Sequence, residues 1–384
     1  MLKEPLSQFR FCLLLTGIAF LTLLSLAQVA TPGEQRSAET LAPGIEHLEI
    51  KRGDFSAEVA DRWQIHVLIV DPSKAAVKLA RAMDEIVGAE TTSSLATRHG
   101  AIAAVNAGFF RVAGTYRGEP DGLLIVNGKV LSEPVRGGAA LALTNAGGST
   151  KAAFAHIQTN AELKLNGKET LPVNGFNRPR ETDQLIVFTP EFHRTTLTKP
   201  DGIEVVVRKG RVQDLLDGKG SQVIPSDGFV ISANGTARQM LSKLRHGMKV
   251  EINSQIHAAP VLPFAPEIIL GGGPILLSNG HIQTNLDGFN PTSFVNFRHP
   301  RTAIGTRKDG ALVFVTVDGR QPKKSVGMTI PELAALMSEL GCQEAMNLDG
   351  GGSTTMVIRN QIVNSVSDAA GERAVSDALI VVAR

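Results

Sequence analysis

The chain has 384 residues, 43% hydrophobic and 20% charged, an ordinary globular balance that provides for one large domain or two small ones. A formal net charge of +2 gives no basic field for nucleic acid or an anionic membrane surface. Trp63 and Tyr116 are the only residues of their types, so composition offers little for the aromatic platforms on which long polymeric ligands stack.

Lys3 and Arg10 precede an uncharged apolar run from Phe11 to Ala30. Residues 1–30 therefore read as a secretory signal peptide or an N-terminal membrane anchor, with Ser25-Leu26-Ala27 as a small-x-small cleavage site. The expectation is an exported protein, periplasmic or extracellular, that meets a membrane only through this segment. Cys12 lies inside the run and Cys342 is the only other cysteine, which excludes a disulfide within the mature chain and a cysteine metal site. Residues 31–43 are polar and read as a linker to a domain over 44–384.

Strand patterns begin at once: His47-Leu48-Glu49-Ile50 alternates, and His66-Val67-Leu68-Ile69-Val70 is a buried-type run closed by Asp71-Pro72-Ser73. A short helix over Ser94–His99 stops at Gly100, and Ile102–Phe110 follows as an apolar segment with Asn106 inside it. Asn127-Gly128, Lys209-Gly210 and Asn279-Gly280 each sit between two apolar runs, as hairpin turns do. No long amphipathic helix interrupts the middle of the chain.

In the last third, Leu312–Val317 is a buried strand ending in Asp318-Gly319-Arg320. Thr329-Ile330-Pro331-Glu332 fits a capping box with Pro in the first turn, and the helix it opens runs to about Leu340 with Gly341 as its stop. The strand Ala345–Leu348 then delivers Asn347 and Asp349 to Gly350-Gly351-Gly352-Ser353. Strand, helix and strand at this spacing predict a crossover between two parallel strands, with Asp318 and Asp349 at their carboxyl ends, where open α/β sheets place ligands. Leu95, Gly100, Ala104 and Asn106 echo Leu336, Gly341, Ala345 and Asn347 at a constant offset. The expected fold is therefore α/β (α+β): mixed β-sheets with few helices, arranged as two pseudo-symmetric α–β halves around one cleft.

Five motifs then fall in a familiar order: Asn106-Ala107-Gly108-Phe109-Phe110, Gly271-Gly272-Gly273-Pro274, Arg298-His299-Pro300-Arg301-Thr302, Val317-Asp318-Gly319-Arg320 and Asn347-Leu348-Asp349-Gly350-Gly351-Gly352-Ser353. Together they resemble the phosphodiester glycosidase family, whose bacterial members include proteins labelled exopolysaccharide-biosynthesis related. The resemblance runs from about Ile45 to Val382 and implies hydrolysis of a sugar-1-phosphodiester. One departure is Asp377, where the pattern leads us to expect Asn; no recognition role is carried over to it.

That chemistry needs a group to activate water or attack the anomeric carbon, while phosphate leaves readily. Asp349 is the first candidate nucleophile or base, Asp318 the second, and Glu119 a fallback acid on the rim. Arg301 and Arg320 are candidates for bidentate phosphate binding, and His299 for proton donation near neutral pH. Asn106 and Asn347 would bond sugar hydroxyls or orient a carboxylate. Gly350, Gly351 and Gly352, leading into Ser353, would present backbone amides to an anion. Each has a plainer alternative: a turn-stabilising Asp, an ion pair, a surface His, an Asn satisfying loop backbone. No cofactor is assigned, although Asp349, Asp318 and Asn347 offer oxygen ligands for a divalent cation as the lesser option. The partner is a sugar phosphate or glycan. Two other readings stay open: a non-catalytic exopolysaccharide assembly or glycan-binding factor, and a peptidoglycan-type glycoside hydrolase.

Overall fold

The alternating segments do become strands, and the computed structural model describes them over residues 33–56 and 61–384. The segment read as a signal or anchor lies outside the described residues. Among those residues, no helix is long and apolar enough to cross a membrane.

The largest sheet has eight strands, ordered Glu34–Ala42, Ile45–Gly53, Arg62–Val70, Leu312–Val317, Arg301–Arg307, Cys342–Asn347, Ile275–Ser278 and His281–Ile282. Its first strand corrects the reading of residues 31–43 as a linker, because Glu34–Ala42 pairs antiparallel with Ile45–Gly53. A polar segment suits an edge strand with water on one side, and composition alone does not separate the two. The crossover is present as expected, with one strand inserted. The helix Ile330–Glu339 does join two strands of one sheet that run the same way. They are not neighbours, because Arg301–Arg307 lies between them, antiparallel to both, with Ala303 opposite Val315 on one side and Asn347 on the other.

Local signals explain the helix. Thr329 Oγ1 accepts from the Glu332 amide at 3.2 Å, and Glu332 Oε2 accepts from the Thr329 amide at 2.8 Å, completing the capping box. Gly341, at φ +82, ends it. Ile330, Leu333, Ala334, Leu336 and Met337 form its buried face, packed on Val313, Val315, Val317 and Ala345 of the sheet. The opposite sheet face, through Ile304, Phe314 and Met346, meets Val105, Met356 and Leu379 of a five-stranded sheet. That second sheet is ordered Gln361–Ile362, Met356–Ile358, Ala103–Asn106, Asp377–Ala383 and Ala75–Arg81. The helix Thr92–Arg98 covers its other side, where Leu95 and Ala96 pack on Ala104, Val357 and Ile380.

The result is a helix, two facing sheets and a second helix, with the echoed helix–glycine–strand units in different sheets. The mid-chain hairpins turn as expected, through left-handed pairs such as Asn127 and Gly128 at φ +50 and +77. Those at Asn127-Gly128 and Lys209-Gly210 build a separate core around Leu163, Val187, Val205 and Ile231, whereas Asn279-Gly280 turns at the end of the eight-stranded sheet. Asn106 and Asn347, at the ends of Ala103–Asn106 and Cys342–Asn347, bring the two facing sheets to one place.

Candidate functional site

Asp349 stands where those strands end. Asn106 is fully buried, and its Nδ2 donates to the Asp349 carbonyl at 2.6 Å. Its Oδ1 accepts from Thr302 Oγ1 at 2.7 Å and from the Thr355 amide at 3.1 Å. Asn347, also buried, donates through Nδ2 to Gly273 O at 2.9 Å and Leu348 O at 2.7 Å. Both asparagines thus spend their amides on the loops around Asp349, and neither lines the cleft. Asn106→Ala is expected to cost about 2 kcal/mol of stability, from bonds lost and polar groups stranded. It should also lower kcat by roughly tenfold or more as Asp349 shifts. Urea denaturation and steady-state kinetics measure both; an unchanged kcat would show that Asp349 is held without it.

The cleft, of about 230 Å³, is lined by Phe294, His299, Arg301, Arg320, Asp349, Gly350–Gly352 and Arg373. Two of the glycines are needed for close approach. A Cβ on Gly350 would fall 2.7 Å from Pro300 O, and Gly351, at φ +61, leaves room for the Arg320 guanidinium at 3.0 Å. The amides are less free than an anion-binding nest requires. Gly350 N donates to Asp349 Oδ1 at 2.9 Å, and Gly351 N to Pro300 O at 2.9 Å. Burial pushes the Asp349 carboxyl up to about 6, against the Ser353 hydroxyl, the Gly350 amide and the Arg373 charge, which favour ionisation.

Arg301 is 2% exposed and held by three carbonyls: Nε donates to Met328 O at 2.8 Å, and Nη2 to Phe294 O at 2.6 Å and Phe297 O at 3.0 Å. Burial, followed by the charge of Arg320, lowers it to about 10, so it stays a cation at neutral pH. With Nε and Nη2 engaged, it offers a ligand Nη1 rather than the full fork expected from sequence. Arg320 is exposed and sits at φ +60, an uncommon conformation for a side chain of its size. Among the described residues, neither Arg301 nor Arg320 forms an ion pair with a carboxylate. Arg298 of the same motif is occupied, bonded to Glu332 at 2.6 Å and Asp61 at 2.6 Å.

His299 Nε2 lies 3.0 Å from Ser293 O, and its Nδ1 faces Arg320 Nη2 at a long 3.4 Å. Burial and the charges of Arg301 and Arg320 lower its pKa against the pull of the Ser293 carbonyl, which disfavours the imidazolium that a general acid needs.

Two sequence candidates lie elsewhere. Asp318 is fully buried and does not line the cleft; its carboxylate accepts from Asn364 Nδ2 at 3.1 Å and the Ser365 amide at 2.9 Å. Asn364 in turn bonds Thr354 O and the Met356 amide, so Asp318 braces the Asp349 turn from behind. Burial pushes the Asp318 carboxyl up to about 6. Glu119 is also buried, pairs with Arg111 at 2.9 Å and lines no part of the cleft. Its pKa is raised by burial and held back by Arg111. Among the described residues, no group of three or more His, Cys, Asp or Glu is placed to hold a metal ion.

Phe294 and Arg373 line the cleft without having been singled out in the sequence. Arg373 pairs with Asp368 at 2.7 Å and sits in a polar loop with no periodic signal. Phe294 stacks on Phe289 with centroids 4.7 Å apart, Phe109 lies 5.5 Å from Phe289, and the Arg301 guanidinium sits 5.0 Å over Phe294. Of this Phe cluster, Phe294 is the member that lines the cleft. Larger cavities of about 480 and 510 Å³ occur elsewhere, but there Lys129 is paired with Glu191 and Arg180 with Asp201. Among these three cavities, only the Asp349 cleft is lined by guanidinium groups that lack a carboxylate partner.

Residues 201–382 match the sequence profile of the phosphodiester glycosidase family. Over 87 residues the chain is 45% identical to the SPbeta prophage-derived uncharacterized protein YomE of Bacillus subtilis (strain 168), covering 23% of this chain and 13% of that protein. It is 28% identical over 158 residues to the N-acetylglucosamine-1-phosphodiester alpha-N-acetylglucosaminidase of Mus musculus, covering 38% of this chain and 30% of that one. The chain thus matches less than a third of the length of either relative. A candidate exported protein of Burkholderia pseudomallei K96243 shares the fold with TM-score 0.78 at 23% identity, over 91% of this chain and 96% of that one.

Proposed function

We infer, with residues 201–382 assigned to the phosphodiester glycosidase family, that this chain is an exported hydrolase releasing a sugar from a sugar-1-phosphodiester of an envelope or extracellular glycan. The observation that carries this reading is the placement of Arg301 and Arg320 beside Asp349 with, among the described residues, no carboxylate in ion-pair contact with either. A buried guanidinium without a counter-charge is costly unless a ligand supplies one. A phosphodiester does, and its bridging oxygen gathers further charge as the bond to the sugar breaks.

In this mechanism Asp349, ionised above about pH 6, either takes a proton from the water that attacks C1 or attacks C1 itself. The C1–O bond breaks, its electron pair leaves on the phosphate oxygen, and the guanidinium groups hold the phosphomonoester produced; where Asp349 attacks C1 itself, water then cleaves the glycosyl ester to free the sugar and restore the carboxylate. A neutral His299 is no obstacle, because phosphate leaves without strong acid assistance. Asp318, Asn106 and Asn347 act by holding the turn. The two helix–strand units read as related halves whose strand ends, at Asn106 and Asn347, frame the cleft; the helices on the outer faces of the two sheets support that reading. A peptidoglycan-type hydrolase fits less well, since Asp349 is the only carboxylate among the lining residues described.

The test is purified protein on a panel of aryl and alkyl sugar-1-phosphodiesters with product analysis. Free sugar and a phosphomonoester are expected. Tight glycan binding with no free sugar would favour the assembly-factor reading instead.

A further inference from the structure

We propose that Asp377 is a positioning residue for Asp349, gripping the peptide group that accepts the Asp349 amide and setting a second carboxylate behind it. This rests on Asp349 being the nucleophile or base. The Ala107–Gly108 peptide is bonded at both ends. Its carbonyl accepts from the Asp349 amide at 2.9 Å, and its N–H donates to Asp377 Oδ1 at 2.7 Å. The Ala107 amide also donates to the Asp377 carbonyl at 3.3 Å, so Asp377 holds this segment from backbone and side chain together. A Cβ on Gly108 would lie 3.3 Å from both Asp377 carboxylate oxygens, a contact too tight for most side chains. A peptide group bonded at both ends is polarised, and each bond strengthens the other.

Holding a peptide does not require a charge, since an asparagine oxygen accepts the same N–H. What the carboxylate adds is an ionisable group at a site only 2% exposed, where burial raises its own proton affinity against the Gly108 amide, Ser376 and Arg81. The charged and polar groups facing it are few. Arg81 stands opposite on the neighbouring strand, Ser376 precedes it on its own strand, and Asp349 lies across the turn. Asp349 in turn faces Arg373 and, across the cleft, Arg301 and Arg320. Like charge from Asp377 adds to burial in raising the proton affinity of Asp349. That makes Asp349 a stronger base than an exposed carboxylate.

The experiment uses the full chain with Asp377→Asn and Asp377→Ala. Asn retains an acceptor for the Gly108 amide and removes the charge; Ala removes both. Carbon-13 NMR of the Asp349 carboxyl, identified by its loss in Asp349→Asn, gives its titration midpoint whether or not the protein turns over substrate. In Asp377→Asn the midpoint should fall, and the acidic limb of kcat/KM should move with it. Asp377→Ala should in addition lower kcat roughly tenfold with KM little changed, as misplacement of a reacting group does. An unmoved midpoint in Asp377→Asn overturns the proposal. Should the wild type hydrolyse no phosphodiester, the functional reading fails, while the midpoint still decides the coupling. Should Asp377→Ala not fold, Asp377→Asn carries the test alone.

Discussion

Asp349→Asn is expected to lower kcat by at least about a hundredfold, the lower range for groups that move a proton in the rate-limiting step. Asn keeps the size of the side chain and its oxygen for the Gly350 amide, but it neither attacks nor accepts a proton. In the wild type the rate should fall as pH drops through about 6, where the carboxyl becomes protonated.

Stability should move the other way. The folded state binds this proton more tightly than the unfolded chain does, so the group's contribution to stability falls as pH rises from the ordinary carboxylate range through about 6. At neutral pH the charged, half-buried carboxylate is a cost that Asn removes. The variant should melt no lower than the parent there and lose any advantage in acid. Kinetics with melting curves at both pH values measure this. Full activity in Asp349→Asn would remove it from the chemistry.

Arg301→Lys should cost about 2–4 kcal/mol of stability as well as affinity for an anion. Three carbonyls accept from this guanidinium, those of Phe294 and Phe297 and that of Met328, which has the His299 amide as a second donor. An ammonium on a flexible stem cannot meet them at once, and each buried acceptor left bare costs about 1–3 kcal/mol. The ligand-facing loss follows from the same geometry, because Nη1 is presented only while Nε and Nη2 are anchored. Urea denaturation gives the first effect, and titration of inorganic phosphate into wild type and variant gives the second. A variant as stable as the parent would show that the carbonyls find other donors. Unchanged phosphate binding would remove Arg301 from the anion site.

Much of this protein is local and could be read from sequence. The capping box at Thr329 and Glu332, the Gly341 stop, the left-handed hairpin turns and the buried strand runs are each decided by neighbours within a few residues. Asp349 was legible for the same reason: an apolar strand, a carboxylate and three glycines lie in one stretch. The motifs carrying Arg301, Arg320 and His299 pointed to the same cleft, although no local rule says that they meet.

Tertiary structure decided the rest. The insertion of Arg301–Arg307 between two strands joined by a helix is a choice of pairing partner, which spacing cannot express. It also turned residues 34–42 from a linker into an edge strand, since a polar segment gains order only when a neighbour offers its backbone. Asp318 and Glu119 resemble Asp349 in sequence, each beside a glycine or a turn, yet burial and their hydrogen-bond partners draw them away from the cleft. Arg373 carried no signal because Asp349, which it faces, lies 24 positions away, and Asp377 showed only as a departure from a motif because the Gly108 amide it holds lies 269 positions away. Local chemistry selects turns, caps and strand runs, whereas a site's electrostatics depends on which distant charges the folded sheets bring within a few ångströms and which they shield from water.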